Sequence, residues 1–156
     1  ECAKQCGVSS DADAPVAWSN LLLCCDGNER AGRDFTCDKL KHDTDICSDF
    51  INPQRWTGGP LLTIGRDGRA TPRPGLPARA DLVVNAVLNL NSVELVKARK
   101  SVLTARRALI ERVKTRSHGL SPKQRADMAQ RLRRDAETQE YGTVLISLAD
   151  TLVRAK

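Results

Sequence analysis

Between Cys37 and Cys47 the chain reads CDKLKHDTDIC, which sets Cys37, His42 and Cys47 at Cys-x4-His-x4-Cys. Thiolate and imidazole donors at such spacing could form part of a tetrahedral zinc site. His42 is followed by Asp43, and a histidine beside a carboxylate could serve as a general base. The third chemistry is oxidation: two disulfide ends with a surface histidine between them. The wider cysteine pattern favours the third. Cys2, Cys6, Cys24, Cys25, Cys37 and Cys47 are the only cysteines, and all fall in the first third of the chain. Their even number and clustering predict three disulfides, with the pairing left open. Neighbours such as Cys24 and Cys25 very rarely bridge each other, so they are expected to clip two other segments.

Read from Asp34, the stretch DFTCDKLKHDTDIC resembles the retroviral-type zinc knuckle, Cys-x2-Cys-x4-His-x4-Cys, over fourteen residues. Asp34 stands where the first cysteine belongs, and Phe35 and Lys39 match an aromatic and a lysine common in such knuckles. The resemblance implies a structural zinc and a nucleic-acid partner. Asp38 and Lys41 occupy places where the knuckle's turns use glycine, and the loop is acidic, whereas a nucleic-acid grip is basic. His42-Asp43 after a cysteine also resembles the secreted phospholipases A2, with DGNERAGRDF as a calcium loop and Asp81 as the distant aspartate. That resemblance implies calcium-dependent lipid hydrolysis. Here the cysteine lies further from the histidine than in those enzymes, and no aromatics follow on the same segment. His118, beside Gly119, reads as a charge at a helix end. Gly-x-Ser-x-Gly, Walker and His-Glu-x-x-His motifs are absent. No catalytic residue, metal or cofactor is expected.

The elements that would position these groups follow from composition and periodicity. At 156 residues the chain can bury a core, and its aromatic content of 3% leaves that core to leucine, valine, isoleucine and alanine, which suits helices. Residues 1–57 hold six Lys/Arg against ten Asp/Glu, a net of −4. Residues 58–156 hold nineteen against nine, a net of +10. Three regions are expected: a cysteine-rich acidic N-terminal region (1–57), a Pro/Gly-rich connector (58–78) and a basic helical bundle (79–156). In the first, PVAWSNLLLCC predicts a short buried helix, and FTCDKLKHDTDICSDFI a helix or two short turns. In the connector, LLTIGRDGRAT reads as a hairpin turning at Asp67-Gly68, or as an ordered strap over the core. In the third, ADLVVNAVLNL predicts a short helix buried on most sides.

Asn91 and Glu94 predict a capping box for a helix from Ser92 to about Ser117, closed by Gly119. Its expected inner stripes are Leu95, Val102 and Leu109 with Val96, Leu103 and Ile110, filled by Ala98 and Ala105. Ser121-Pro122-Lys123-Gln124 opens the next helix, with Ala126, Ala129, Leu132 and Ala136 facing inward. The last helix is expected at about 139–154, through Tyr141, Val144, Leu145, Leu148 and Leu152, with Gly142 weakening its first turn.

The fold expected is mostly α: a disulfide-stapled N-terminal region packed on a small antiparallel bundle of three to four helices. No run of apolar residues is long enough to cross a membrane. The chain begins at Glu1, and with its cysteines this leads to the expectation of a mature, secreted, extracellular form. The function expected is that of a non-enzymatic, disulfide-rich interaction protein, a host-directed effector or toxin-like factor. Lys97, Lys100, Arg107 and Lys114 on one helix, with Arg131 and Arg134 on the next, are the expected contact residues. A host or extracellular protein, or an anionic membrane surface, is the expected partner, with nucleic acid ranked behind. The disulfide expectation is checked by intact mass under denaturing conditions. Reduction adds about 6 Da if all six thiols are paired, and labelable thiols before reduction would contradict it.

Overall fold

The computed structural model describes residues 34–41, 49 and 57–154. Cys2, Cys6, Cys24, Cys25 and Cys47, His42, Asp43 and the helix expected in PVAWSNLLLCC lie outside them. The described chain is mostly helical with one small antiparallel sheet. In order it runs α1 (Cys37–Lys41), β1 (Leu62–Ile64), β2 (Ala70–Pro72), α2 (Ala80–Leu82) continuing into a π-helical turn (Val83–Val87), α3 (Val93–Arg116), α4 (Pro122–Asp135) and α5 (Gly142–Arg154). It divides into two compact units, Glu1–Leu61 with Pro74–Ser92, and Leu62–Arg73 with Val93–Lys156. No helix is long and apolar enough to cross a membrane among the described residues.

In the first unit, the amide of Cys37 donates to the Leu88 carbonyl at 2.8 Å. Asn89, in the left-handed region at φ 44°, donates to Asp34 Oδ1 at 2.9 Å and to the Phe35 carbonyl at 3.1 Å. The segment ADLVVNAVLNL is helical as expected but widens. Asn85 Nδ2 takes the Asp81 carbonyl at 3.0 Å, competing with the backbone for it. The ladder then shifts to longer steps, with Leu88 N bonded to Val83 O at 2.9 Å. Only Val83 and Val84 are buried, and Leu82 is exposed, so this turn is less enclosed than its composition suggests.

In the second unit the hairpin pairs Leu62 with Pro72, Thr63 with Thr71 and Ile64 with Ala70. Its turn is a three-residue loop in which Gly68, at φ 87°, holds the left-handed position that closes such hairpins. Gly68 N bonds Gly65 O at 3.1 Å, and Asp67 Oδ1 accepts from Arg69 N at 3.1 Å. The hairpin is a strap packed on α5. Ile64 N donates to Ser147 Oγ at 2.9 Å, so a helix hydroxyl satisfies an edge amide of the strand.

The core of this unit gathers Ile110 from α3, Ala129 and Leu132 from α4, and Leu145, Leu148, Ala149 and Leu152 from α5. The Ser121 capping box forms as its sequence predicts, with both Ser121–Gln124 bonds made. Ala126, expected inside, is exposed, and Met128 packs against the core in its place. On α3, Leu103 and Ile110 are buried as expected, but Arg99 is buried with them, whereas Leu109 and Ala105 are exposed. The end of α3 also differs from expectation. His118, at φ 52°, takes the left-handed position, and Gly119 follows it. Gly119 N to Lys114 O at 2.8 Å and His118 N to Thr115 O at 3.4 Å complete a Schellman motif.

Gly142 opens α5 because the backbone leaves no room for more. A Cβ there would lie 2.2 Å from the carbonyl oxygen of Ala136. Alanine is the better helix former by about 1 kcal/mol, but this overlap with backbone outweighs that gain. Gly142→Ala is therefore expected to destabilise by about 1–3 kcal/mol, read as a lower urea midpoint. An unchanged or higher midpoint would mean the α4–α5 connection yields freely.

Candidate functional site

The basic residues singled out in the sequence are accessible, but they do not share one face. Lys97, Lys100, Lys114, Arg131 and Arg134 are exposed and Arg107 is half-buried. Lys100, Arg107 and Lys114 recur every seven residues, with Lys97 one turn earlier, so they form a stripe along α3. At 1.5 Å per residue the stripe is about 25 Å long. Arg131 belongs elsewhere: it lines a groove against Leu109, which lies on the opposite side of α3 from the stripe.

Two further cations join the stripe from the hairpin. A Cβ on Gly68 would fall 2.5 Å from the Val96 carbonyl oxygen and 3.1 Å from Lys100 N, so the turn rests directly on the α3 backbone. Arg66 and Arg69, both exposed, flank that contact point. Sequence reasoning placed the turn but not its arginines. The signal was the RDGR stretch itself, a tight turn bracketed by guanidinium groups.

Compensation of these charges is sparse. Lys114 pairs with Glu111 at 3.3 Å, in an exposed geometry worth little. Lys97, Lys100, Arg107, Arg131 and Arg134 make no ion pair with another described residue. The second unit as a whole holds eighteen Lys/Arg against eight Asp/Glu, so the +10 excess lies entirely within it.

The α3–α4 groove has a volume of about 420 Å³. Leu109, Ile110, Val113, Met128 and Leu132 supply its apolar surface. One end is bridged by Arg106, which pairs with Asp135 at 3.6 Å and hydrogen-bonds Gln139.

The groups that first suggested catalysis or metal binding are otherwise engaged where they are described. Asp34 accepts from Asn89, and Lys39 lies 6.0 Å from the Phe35 ring rather than presenting both outward. Asp81 Oδ1 accepts from Asn85 Nδ2 at 2.9 Å. Cys37, the one described cysteine, is half-buried. Among the described residues no three His, Cys, Asp or Glu side chains converge as a metal site would require. No family model matches the sequence, and no curated protein or solved structure matches it.

One ionic cluster holds the surface in place. Asp150 on α5 accepts from Arg73 Nη2 at 2.7 Å and from Arg133 Nη2 at 2.9 Å. It thereby ties the hairpin's end and α4 to α5. Arg73 Nε is buried without a hydrogen-bond partner, so its guanidinium engages Asp150 through Nη2. Partial burial pushes the Asp150 carboxyl up, but hydrogen bonds from Arg133 and Arg73, and their charges, outweigh it and hold the carboxyl below its ordinary 3.8. A lowered folded value means the stabilisation is complete above the unfolded value and is lost as pH falls through the folded one. Asp150→Asn is thus expected to cost about 2 kcal/mol at neutral pH. The gap from the parent protein should close as pH drops below 3.8, measured by urea unfolding across the acid range. A gap that stays constant with pH would show that the ion pairs are not its source.

Proposed function

We propose that this chain is a secreted, non-enzymatic interaction protein, of the effector or toxin-like kind, whose basic surface engages an anionic partner in the extracellular space or on a host. The observation that carries this reading is the α3 stripe. Lys97, Lys100, Arg107 and Lys114 run along one face with a single acid, Glu111, among them. The hairpin turn adds Arg66 and Arg69 where it rests on the same helix. An elongated row of cations only sparsely countered by Glu111 and Asp67 raises the local potential and speeds the encounter with an anionic surface. Its positions are held by a rigid helix and by a turn fixed through backbone contact, so little ordering accompanies binding. The six cysteines within the first 47 residues support an oxidising compartment.

Reversing charge on the exposed members tests the reading without touching the core. The triple variant Lys97→Glu, Lys100→Glu, Lys114→Glu is expected to elute from immobilised heparin at clearly lower salt, with its thermal midpoint within a few degrees of the parent. Unchanged elution would remove the stripe as the binding surface.

A further inference from the structure

The α3 stripe has a shape as well as a charge. Lys97, Lys100, Arg107 and Lys114 follow one side of a straight element for about 25 Å. At the N-terminal end of the row the hairpin turn seats against the helix, where a Cβ on Gly68 would lie 3.3 Å from Lys100 Cβ. Arg66 and Arg69, both exposed, flank that seat. Row and turn together hold six cations against two acids, Glu111 and Asp67. Glu111 is engaged by Lys114 at 3.3 Å, and Asp67 Oδ1 accepts from the Arg69 amide at 3.1 Å. Lys97, Lys100, Arg107, Arg66 and Arg69 make no ion pair with another described residue.

The side chains between these cations are polar or small. Ser101 and Thr104 follow Lys97 and Lys100 by one turn, and both hydroxyl residues are exposed. Ala108 is exposed beside them. The large exposed aliphatics stand elsewhere: Leu109 and Val113 on the far side of α3, and Val93 ahead of the row. The one aromatic residue of the second unit, Tyr141, lies just before α5.

These features discriminate among anionic ligands. A helix that lies on a bilayer buries an apolar face, and this face has none. A protein partner is held by an apolar interface centre, which the row also lacks. Nucleic acid is gripped by base contacts besides phosphate contacts, and stacking aromatics are missing here. A single linear strand of repeated anions and hydroxyls needs only a line of cations with hydroxyl donors between them. We propose that the stripe binds a sulfated polysaccharide lying lengthwise along α3. Its anionic groups meet Lys97, Lys100, Arg107 and Lys114, and its end crosses the hairpin turn, where Arg66 and Arg69 offer planar forks to two more oxyanions. This assignment rests on the reading of an anionic partner and names that partner's chemistry.

The full chain is titrated with size-fractionated heparin fragments over a series of salt concentrations. Affinity is expected to rise about tenfold or more with fragment length, because each added contact is made within one complex. It should level once the fragment spans the row, about 25 Å. Lys97→Gln, Lys100→Gln and Lys114→Gln together should lower the slope of log affinity against log salt by about three, and Arg66→Gln with Arg69→Gln by about two. Arg112→Gln, Arg116→Gln and Arg131→Gln remove three charges on the other side. Arg112 and Arg116 share the side of Leu109, and Arg131 lines the groove there. That variant should keep the parent slope.

Equal loss from the two triple variants would show that net charge acts and not the row, and would overturn the assignment. Affinity that does not change with fragment length would do the same. So would tighter binding of an oligonucleotide of equal charge, which would name nucleic acid. Phosphatidylserine vesicles or polyglutamate bound through the stripe lysines, without length-dependent fragment binding, would remove the polysaccharide and leave the anionic-partner reading standing. If no polyanion or vesicle distinguishes the stripe variant from the parent, both fall.

Discussion

Asp150 is the interaction on which the second unit depends. A body with ten excess positive charges repels itself, and compactness requires that some cations be held near one another. Asp150 does this at the point of greatest mechanical need. Its two oxygens take one arginine from the end of the hairpin and one from α4, while its own helix supplies the centre of the core. The hairpin has only two short strands, too few to be stable alone. It is held instead by this ion pair at one end, by Ser147 Oγ on the Ile64 amide in the middle, and by Gly68 against α3 at the turn. The first two ties reach α5 and the third reaches α3, so the strap is anchored on both helices. The strap thereby becomes a platform for Arg66 and Arg69.

The second constraint is the shortage of large side chains. With few aromatics, the core closes by bringing helices near, not by filling a wide space. Ala129 and Ala149 are fully buried at the α4–α5 contact, and Gly142 admits the Ala136 carbonyl where the connection turns back. A core of this kind has little reach. It seals α4 against α5 but covers only part of α3, whose last two turns project beyond it. The groove follows from that mismatch of a long helix with short neighbours.

Local signals were legible in the sequence, and facing was less so. The Ser121–Gln124 capping box and the Asp67-Gly68 turn are decided within a few residues, and both form. The core face of α5 was also readable, because Val144, Leu145, Leu148 and Leu152 make a strong stripe on a helix buried along its length. The phase of α3 was not. Its sequence offers two apolar rows, and tertiary coverage, not periodicity, decides that Ile110 is buried and Leu109 is not. Burial of Arg99 breaks the rule that charge faces outward, which no pattern reading anticipates. At its end, Gly119 was the natural left-handed residue, yet His118 takes that conformation because the hydrogen bonds to Thr115 and Lys114 fix the register. For the candidate surface, residue identity was readable while grouping was not: Arg131 was joined to the α3 stripe although a helix's width separates them. The cysteine head, where the zinc, catalytic and disulfide readings diverge, lies outside the described residues.

Folding and binding draw on the same small pool of acids. In the second unit Asp150 and Asp135 bridge helices to their neighbours, and Asp67 closes its own turn. Asp150 and Asp135 are placed where they make structure and away from the α3 stripe, while Asp67 lies exposed between Arg66 and Arg69. The uncovered positive surface is therefore a consequence of how this unit holds together, and its self-repulsion persists in the folded state. An anion bound there relieves repulsion that the protein's own acids leave standing, so binding and stability reinforce each other.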